Sequence, residues 1–430
     1  MPTDIQPPPL SVHFINCGQG NMTLILAARA VLLYDCRVTE DDQERILAHL
    51  RRYIPSRIDD DGNEAQWIDW FICSHRDSDH LLGLDLVHDE FTIKGIVDPG
   101  TTSGSIDSPA NKYYMYLRRQ LKEIHGEDAV IVPEASATAL FTFDGVRLFC
   151  LCSGKDDPPS EDGHYGNNVF QVEYAGRRVL LTGDSDWSSW QDRILPLFRE
   201  TGLLSSTVMV ASHHGSRSFF VDADPDVEEE EAWQEAFEEH LGLIAPSMTI
   251  ISCGSQEQHN HPNQEALKRY KNGTKHQQVY LTRDKGSLVG QFYANGDWTV
   301  TPARFLSGWN YRRGATPGKT LKVTCKEFRN GCFVGEVQSG ESRPVGAQLK
   351  FTALTSGGFD MAKATYTFEV SNGGTGPDAD HDDIYFKGSD ERSLKHEFER
   401  DLAFQGIHLL RVRVRQGGID AQTVFAVRGE

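Results

Sequence analysis

The stretch Ser74-His75-Arg76-Asp77-Ser78-Asp79-His80 places two imidazoles and two carboxylates directly after a largely apolar run, residues 68–73. Three later fragments follow the apolar runs 178–181, 207–211 and 248–252; they are Leu181-Thr182-Gly183-Asp184, Ser212-His213-His214-Gly215-Ser216 and His261-Pro262-Asn263. Layered α/β folds bring the ends of neighbouring strands to one edge of a sheet. The sequence therefore predicts that the four fragments meet at one site.

The residue types of these fragments suit two adjacent divalent cations. Carboxylate oxygens and imidazole nitrogens together favour zinc or manganese. Asp184 can bridge two ions because a carboxylate offers one oxygen to each. Two cations about 3.5–4 Å apart acidify a shared water and hold the attacked group. The alternative interpretation is that residues 75–80 form a polar turn and that Asp184 caps a helix over 187–198.

The ordered motifs resemble the metallo-β-lactamase fold, in the ComEC-like branch found in competence-type DNA-uptake proteins. The matching stretches are Asn16-Cys17-Gly18-Gln19-Gly20-Asn21, Leu33-Tyr34-Asp35-Cys36, Ser74 to Gly83, Asn167-Asn168, Leu180 to Asp184, His213 to Ser216, His261-Pro262 and Tyr280 to Gly286. The resemblance covers roughly residues 11–300 and implies an αββα sandwich with hydrolase activity. Three positions depart from the pattern: Asn16 and Asn21 replace aspartates, and Arg37 stands where the branch has glycine.

Carried over to this sequence, the resemblance implies two metal sites bridged by Asp184. One site takes His75 and Asp77, and the other takes Asp79, His80 and His213. His164 is expected to complete the first site, with a surface-loop histidine as the alternative.

The resemblance also implies roles around the metals. His214 is expected to face the substrate or to orient a ligand by a hydrogen bond. His261 is expected to donate a proton to the scissile phosphate or to stabilise its charge, with a plain loop histidine as the alternative. Asp79, His214 and His261 are thus the predicted catalytic residues.

Composition limits the class of protein. The mean hydropathy is −0.45, and no run approaches the roughly 18–20 apolar residues of a spanning helix. The first residues lack the basic and apolar parts of a signal peptide, and residues 1–10 are expected to be a disordered leader. The eight cysteines are scattered, and Cys36, Cys73 and Cys253 lie within apolar runs. We therefore expect a cytoplasmic protein with buried thiols, without a membrane channel and hence without a role in DNA import.

The charge is uneven along the chain. The net charge is −19, yet residues 318–430 hold 15 basic and 16 acidic residues. The segment 222–239 contains ten acids and no base and is either a solvated segment or a lid near the site. An acidic surface argues against tight, processive binding of duplex DNA, because such binding depends on cationic groups.

A Gly- and Pro-containing run near 310–319 predicts a linker between a hydrolase domain, 11–310, and a second domain, 318–430. Beyond the linker, alternating patterns predict strands at 320–327, 348–354, 364–371, 408–415 and 423–427, which is typical of an all-β sandwich. The second domain resembles the adenylyl/guanylyl and SMODS C-terminal sensor family of bacterial anti-phage systems. The matching stretches are Tyr366 to Gly374, Phe404-Gln405-Gly406-Ile407-His408 and Phe425-Ala426-Val427.

This second resemblance implies recognition of a nucleotide second messenger. Arg411, Arg413 and Arg415 alternate with valines and share one sheet face, which is either a phosphate-binding face or a solubilising one. His408 and Asn372 are candidate pocket residues, with structural turns as the alternative.

The sequence thus predicts a soluble two-domain metallohydrolase. Its expected reaction is phosphodiester hydrolysis, on DNA, gated by a nucleotide second messenger in anti-phage defence. A phosphodiesterase of small cyclic nucleotides and a catalytically weak metal-fold sensor or scaffold are the alternatives. The sequence leaves the oligomeric state open, a homo-oligomer included.

Overall fold

The computed structural model describes residues 9–59, 62–101, 107–156, 167–222, 233–254, 261–303, 320–356, 364–374, 383–387, 396–403, 406–416 and 419–430. The chain divides into two compact units, Met1–Trp298 and Thr299–Glu430. The expected linker, 310–319, lies outside the described residues, and so does most of the expected leader. Leu10, the last residue of that leader, is buried and opens the first strand.

Two large sheets make up most of the first unit, and the last strand of the first sheet, Trp298–Pro302, begins where this unit ends. The eight-stranded sheet contains, in spatial order, Val130–Ile131, Ile96–Val97, Trp70–Ile72, Val31–Tyr34, Thr23–Ala27, Leu10–Phe14, Leu288–Phe292 and Trp298–Pro302. The seven-stranded sheet contains Phe141–Phe143, Val146–Cys152, Val169–Tyr174, Arg177–Leu181, Val208–Val210, Met248–Ile251 and Val279–Leu281. Two short ribbons pair Cys36–Arg37 with Leu81–Leu82, and Arg57–Ile58 with Glu64–Ala65.

Helices cover one face of each sheet. Gln43–Tyr53, Leu84–Glu90 and Pro109–His125 share a hydrophobic core with the eight-stranded sheet. The π-helical turn Ser189–Ile194 and the helices Leu195–Phe198, Glu239–Ile244 and Gln264–Gly273 share a core with the seven-stranded sheet, and Thr282–Lys285 is a further short helix.

The two sheets face each other. The Tyr34 hydroxyl donates to the carbonyl of Asn168 at 2.9 Å, and the Tyr34 and Phe170 rings lie 6.4 Å apart. This layer order confirms the predicted αββα sandwich.

Local sequence explains the longest helix, Pro109–His125. The Ser108 side chain accepts a hydrogen bond from the backbone N–H of Asn111, and proline occupies the first turn, where its missing N–H costs nothing. Tyr114, Leu117 and Leu121 recur at helical spacing and are buried. This stripe attaches the helix to its sheet.

Parallel pairing brings the polar motifs to one edge. In the seven-stranded sheet, neighbouring strands run parallel from Arg177–Leu181 through Val208–Val210 to Met248–Ile251. Asp184 follows the first of these strands and His213 the second. In the other sheet Val31–Tyr34 runs parallel to Trp70–Ile72, and these strands lead to Asp35 and His75. The four apolar runs are therefore strands whose carboxyl ends carry the site, as the sequence predicted.

The second unit is a β-sandwich. Its four-stranded sheet contains Cys332–Val337, Thr320–Arg329, Gln348–Ser356 and Glu397–Asp401. Its five-stranded sheet contains Ser342–Arg343, Ile419–Gly429, Gly406–Gln416, Thr365–Gly374 and Asp383–Lys387. Side chains from both sheets, among them Phe351, Phe368 and Val412, form one core. The predicted all-β sandwich is confirmed, with four additional strands: Cys332–Val337, Ser342–Arg343, Asp383–Lys387 and Glu397–Asp401.

Two further expectations concern the cysteines and membrane-spanning helices. All eight cysteines are free thiols, and seven are buried, including Cys36, Cys73 and Cys253; Cys332 is exposed. Within the described residues, we find no helix with both the length and the apolar character needed to cross a bilayer.

Candidate metal centre

The two oxygens of Asp184 face two different pairs of histidines. Asp184 Oδ1 lies 3.2 Å from His80 Nε2 and 3.8 Å from His214 Nε2. Asp184 Oδ2 lies 3.6 Å from His213 Nε2 and 3.9 Å from His75 Nε2. The carboxylate is buried. It therefore lies where a ligand shared by two cations would be needed.

Two more carboxylates complete these groups. Asp79 Oδ2 lies 3.3 Å from His214 Nε2 and 3.8 Å from His80 Nε2. Asp77 Oδ2 lies 3.4 Å from His75 Nε2. Two sets of side chains result. The first set is His75, Asp77, His213 and Asp184 Oδ2; the second set is Asp79, His80, His214 and Asp184 Oδ1.

The second set fits a single metal ion closely. Its four ligand atoms all lie within 4.8 Å of one another, and ligands about 2.0–2.2 Å from a tetrahedral zinc require a cluster of this size. His80 Nε2 and Asp184 Oδ1 are both buried, and neither makes a well-aligned hydrogen bond within the described chain. Buried polar atoms need partners, and a cation between these two atoms would provide one.

Hydrogen bonds to Nδ1 orient all four imidazoles. His75 Nδ1 lies 3.0 Å from Ser74 Oγ, and His213 Nδ1 lies 3.0 Å from Ser218 Oγ. His80 Nδ1 lies 2.8 Å from a carboxylate oxygen of Asp35, and His214 Nδ1 lies 3.0 Å from the carbonyl of Ser252. A carbonyl can only accept, so Nδ1 of His214 donates to Ser252 and Nε2 faces the oxygens of Asp79 and Asp184.

Asp35 is a site residue that was not among those predicted from the sequence. Its carboxylate accepts from the Ser74 backbone N–H at 2.7 Å and from the Ser74 hydroxyl at 2.8 Å, in addition to contacting His80. It is fully buried and has a left-handed backbone, with φ of 56°. Its position at the end of the strand Val31–Tyr34 was the available signal. Asp35 fixes both His80 and the start of the metal-binding stretch.

Electrostatic interactions with the neighbouring histidines keep the carboxylates of Asp184 and Asp79 ionised. Burial raises the pKa of Asp184, but His80, His213 and His214 outweigh it and hold that pKa well below its usual range. Burial also raises the pKa of Asp79, which His80 and the hydrogen bond from His214 bring far below its usual value. For His80 burial lowers the pKa, and Asp184, Asp35 and Asp79 raise it well above normal. The centre is thus an anionic cluster that a cation would stabilise.

The backbone explains which histidine joins which set. His213 and His214 are consecutive residues in the left-handed region, with φ of 47° and 55°. This tight turn directs His214 to Asp79 and leaves His213 on the other side of Asp184. The sequence predicted His213 in the second set, with His214 facing the substrate or orienting a ligand. The structure places His214 in the second set and His213 in the first.

Asp184 is not a helix cap. The carboxylate of Asp186 accepts from the backbone N–H of Ser189 at 2.8 Å, where the π-helical turn begins. Asp184 itself lies in the preceding turn, where its backbone N–H donates to the side-chain oxygen of Asn167 at 3.2 Å. The alternative interpretation of Asp184 as a cap was therefore wrong.

An open pocket with about 830 Å³ of empty space leads to the second set. It is lined by Gln19, Arg37, Ser78, Asp79, Leu82, His213, His214 and His261. The His261 ring lies 5.6 Å from that of His213 and 6.3 Å from that of His214. His261 thus borders the centre without belonging to either set. His164 lies outside the described residues.

The expected nucleotide-binding residues lie in the second unit. Arg411 pairs with Glu369, which is its register partner on the neighbouring strand. Arg413 occupies the same face, and the Arg415 side chain lies outside the described part. His408 is buried and borders a small, mainly apolar cavity between the sheets. The Glu369 partner reduces the charge that Arg411 can offer to a phosphate.

A model of the metallo-beta-lactamase superfamily matches residues 15–229, half of the chain. The chain belongs to the metallo-beta-lactamase superfamily. The match contains His75, Asp77, Asp79, His80, Asp184, His213 and His214, so both sets fall within the family region. Enzymes of this superfamily are generally metal-dependent hydrolases, which agrees with the cluster around Asp184.

Comparison with solved structures gives distant matches. An archaeal metallo-beta-lactamase superfamily protein from Sulfolobus tokodaii is 14% identical, with a TM-score of 0.22, and the match covers 40% of this chain. This chain spans 62% of that protein's length. An endo-beta-1,4-mannanase from Thermotoga petrophila is 10% identical, with a TM-score of 0.16, over 91% of this chain and 73% of its own. A search of curated proteins found no match.

Proposed function

We propose that this metallo-beta-lactamase superfamily protein is a phosphodiesterase that holds two divalent cations and hydrolyses nucleic acid, DNA in particular. One observation carries the proposal: the two oxygens of Asp184 face separate sets of imidazoles and carboxylates. His75, Asp77 and His213 would hold one cation, and Asp79, His80 and His214 the other. Such a pair supplies an acidified water and stabilises charge on the attacked phosphoryl group.

The protein's own groups prepare this chemistry. Asp35 and the Ser252 carbonyl fix the orientations of His80 and His214, so the two imidazoles need no rearrangement before reaction. His261 borders the pocket next to His213 and His214. From there it would donate a proton to the leaving oxygen. The open pocket leaves room for a strand to enter from solvent.

A small cyclic nucleotide is the second candidate substrate. The net charge of −19 favours it, because an acidic surface weakens the counterion-driven attraction of long polyanions. For either substrate we propose that the second unit binds a nucleotide and regulates hydrolysis, as expected for a protein of anti-phage defence. Arg413, on the outer face of its strand, is then the first phosphate contact to test.

The test uses the full-length protein loaded with zinc or manganese. Plasmid DNA, single-stranded DNA, cyclic mononucleotides and cyclic oligonucleotides are supplied separately and together, and products are separated by gel and by chromatography. We expect DNA cleavage that Asp184→Asn abolishes and that the exposed control Asp192→Asn retains. Turnover of cyclic nucleotides alone would favour the second candidate. Full metal content without turnover of any phosphodiester would refute the proposal.

A further inference from the structure

Arg37 places an uncompensated positive charge in the wall of the metal pocket. Its side chain lines the pocket together with Asp79 and His214. Among the described residues it forms no ion pair, although Asp79 and Asp184 both lie in the same centre. A half-buried cation without a counterion is costly unless a ligand supplies the opposite charge. Arg37 therefore requires an explanation that its protein contacts do not give.

The backbone holds Arg37 beside the metal-binding stretch. The two-residue strand Cys36–Arg37 runs parallel to Leu81–Leu82, directly after His80. The next residue, Val38, continues this pairing through a 2.8 Å hydrogen bond from its N–H to the carbonyl of Leu82. The position of Arg37 is thus fixed relative to Asp79 and His80.

Two glycines make room for the arginine side chain. A Cβ on Gly20 would lie 2.1 Å from Arg37 Cδ and 2.5 Å from the Asp79 carbonyl oxygen. A Cβ on Gly18 would lie 2.9 Å from Arg37 Nη1, and this nitrogen donates to the carbonyl of Cys17. Any larger residue at position 18 or 20 would displace the arginine or the loop. The loop 17–20 therefore forms a cradle for Arg37.

The cradle leaves most of the guanidinium available. A guanidinium carries five N–H donors in a planar fork that matches phosphate oxygens. The Cys17 carbonyl takes one donor, which anchors the group without neutralising it. Arg37 also lies outside both sets of metal-binding side chains. Its guanidinium is therefore a cationic group of the pocket that is separate from the sites the metal ions would occupy.

We propose that Arg37 binds a phosphate adjacent to the scissile one, so that the site selects substrates with at least two linked phosphates. This inference rests on the proposed phosphodiesterase function and narrows its substrate class. Polynucleotides and cyclic oligonucleotides carry the second phosphate, whereas a cyclic mononucleotide does not. Arg37 is thus a specificity-determining residue for this pocket.

The experiment compares two substrates in the full-length, metal-loaded protein. Bis(p-nitrophenyl) phosphate has one phosphate, and a short single-stranded DNA oligonucleotide has many. Arg37→Met keeps the length of the side chain and removes its charge, Arg37→Lys keeps the charge without the fork, and Arg29→Met changes an exposed arginine elsewhere. Metal content and kcat/KM are measured for each variant.

In Arg37→Met, we expect kcat/KM to fall about 10–100-fold more for the oligonucleotide than for the small substrate, because a charged hydrogen bond contributes about 1.5–3 kcal/mol. The loss should appear as an increase in KM. Arg37→Lys should recover part of the loss. In a direct binding assay with labelled oligonucleotide, the slope of log K against the logarithm of the salt concentration is measured. Its magnitude should be about 0.7 smaller in Arg37→Met than in the parent protein, as for one lost phosphate contact. Arg29→Met should match the parent protein.

The outcomes separate this inference from the function on which it rests. Equal losses on both substrates, or no loss and an unchanged salt dependence, would overturn the role of Arg37 while leaving the phosphodiesterase intact. A parent protein that cleaves only the small substrate would also overturn it. A fully metallated parent protein that cleaves neither substrate would refute the phosphodiesterase itself.

Discussion

Asp184 Oδ1 lies 3.2 Å from His80 Nε2, and both atoms are buried. Burial lowers the pKa of His80, but the neighbouring carboxylates of Asp184, Asp35 and Asp79 raise it well above its usual range. In the absence of metal the proton on His80 compensates part of their charge. A cation would replace that proton and bind both atoms. Metal binding should therefore release protons and stabilise the fold.

Asp35→Asn should weaken metal binding without removing a ligand. The amide can no longer accept from both Ser74 and His80 as a charged group, so the His80 ring loses its orientation. Changes of this kind typically cost 10–100-fold in metal affinity. Competition with a chelator measures the affinity, and excess metal should restore the occupancy. An unchanged affinity would show that Asp35 serves the fold alone.

His213→Ala and His214→Ala should each remove one ion and leave the other. The two rings lie on opposite oxygens of Asp184, so neither change disturbs both sets of side chains. Cobalt substitution gives separate absorption spectra for the two sites, and each variant should lose a different component. Loss of the same component in both variants would contradict this assignment.

His261→Ala should keep both ions and slow the reaction. A residue that transfers a proton contributes about 10²–10⁴-fold to kcat. The pH profile should also lose the limb that reports the proton donor. If kcat and the pH profile match those of the parent protein, His261 is a loop histidine without a role in proton transfer.

His240 should make the fold sensitive to acid. It lies among aromatic rings, 4.1 Å from Phe219 and stacked on Phe237 at 4.9 Å between ring centroids. Burial lowers the pKa of His240 from 6.5 to about 3. Because the folded state disfavours the protonated form, the stabilisation is complete above about pH 6.5 and is lost as the pH falls toward about 3.

His240→Leu removes the loss of folding stability that accompanies protonation of His240. Between about pH 6 and pH 4 the free energy of unfolding of the variant should depend less steeply on pH than that of the parent protein. The difference between the two slopes should be about 1.4 kcal/mol per pH unit. Urea unfolding at a series of pH values, with both proteins free of metal, measures the difference. Parallel curves would contradict the neutral state of His240.

The resemblance of the motifs to the metallo-β-lactamase fold predicted the αββα sandwich. The position of the polar motifs after apolar runs predicted that they meet, because parallel pairing brings such strand ends together. The sequence could not distinguish His213 from His214, because their assignment depends on two consecutive left-handed residues. Asp35 was missed because a buried carboxylate that orients a ligand looks in sequence like any polar residue at a strand end.

The second domain shows the same limit. Alternating patterns predicted its long strands, whereas Glu397–Asp401, with charges at most positions, gave no apolar signal. The pairing of Arg411 with Glu369 depends on cross-strand register, which only the fold reveals. The three arginines therefore appeared equivalent in sequence, and the pairing of Arg411 with Glu369 could not be foreseen.

The metal content of Asp184→Ala tests the central claim most directly. The matched control is Asp192→Ala, an exposed aspartate eight positions along the chain. Elemental analysis after metal loading and removal of excess metal should give about two ions for the parent protein and the control. The same measurement should give far less than one ion for Asp184→Ala, since the change removes a ligand from both sites. Less than half an ion in the parent protein, or two ions in Asp184→Ala, would contradict a binuclear centre bridged by Asp184.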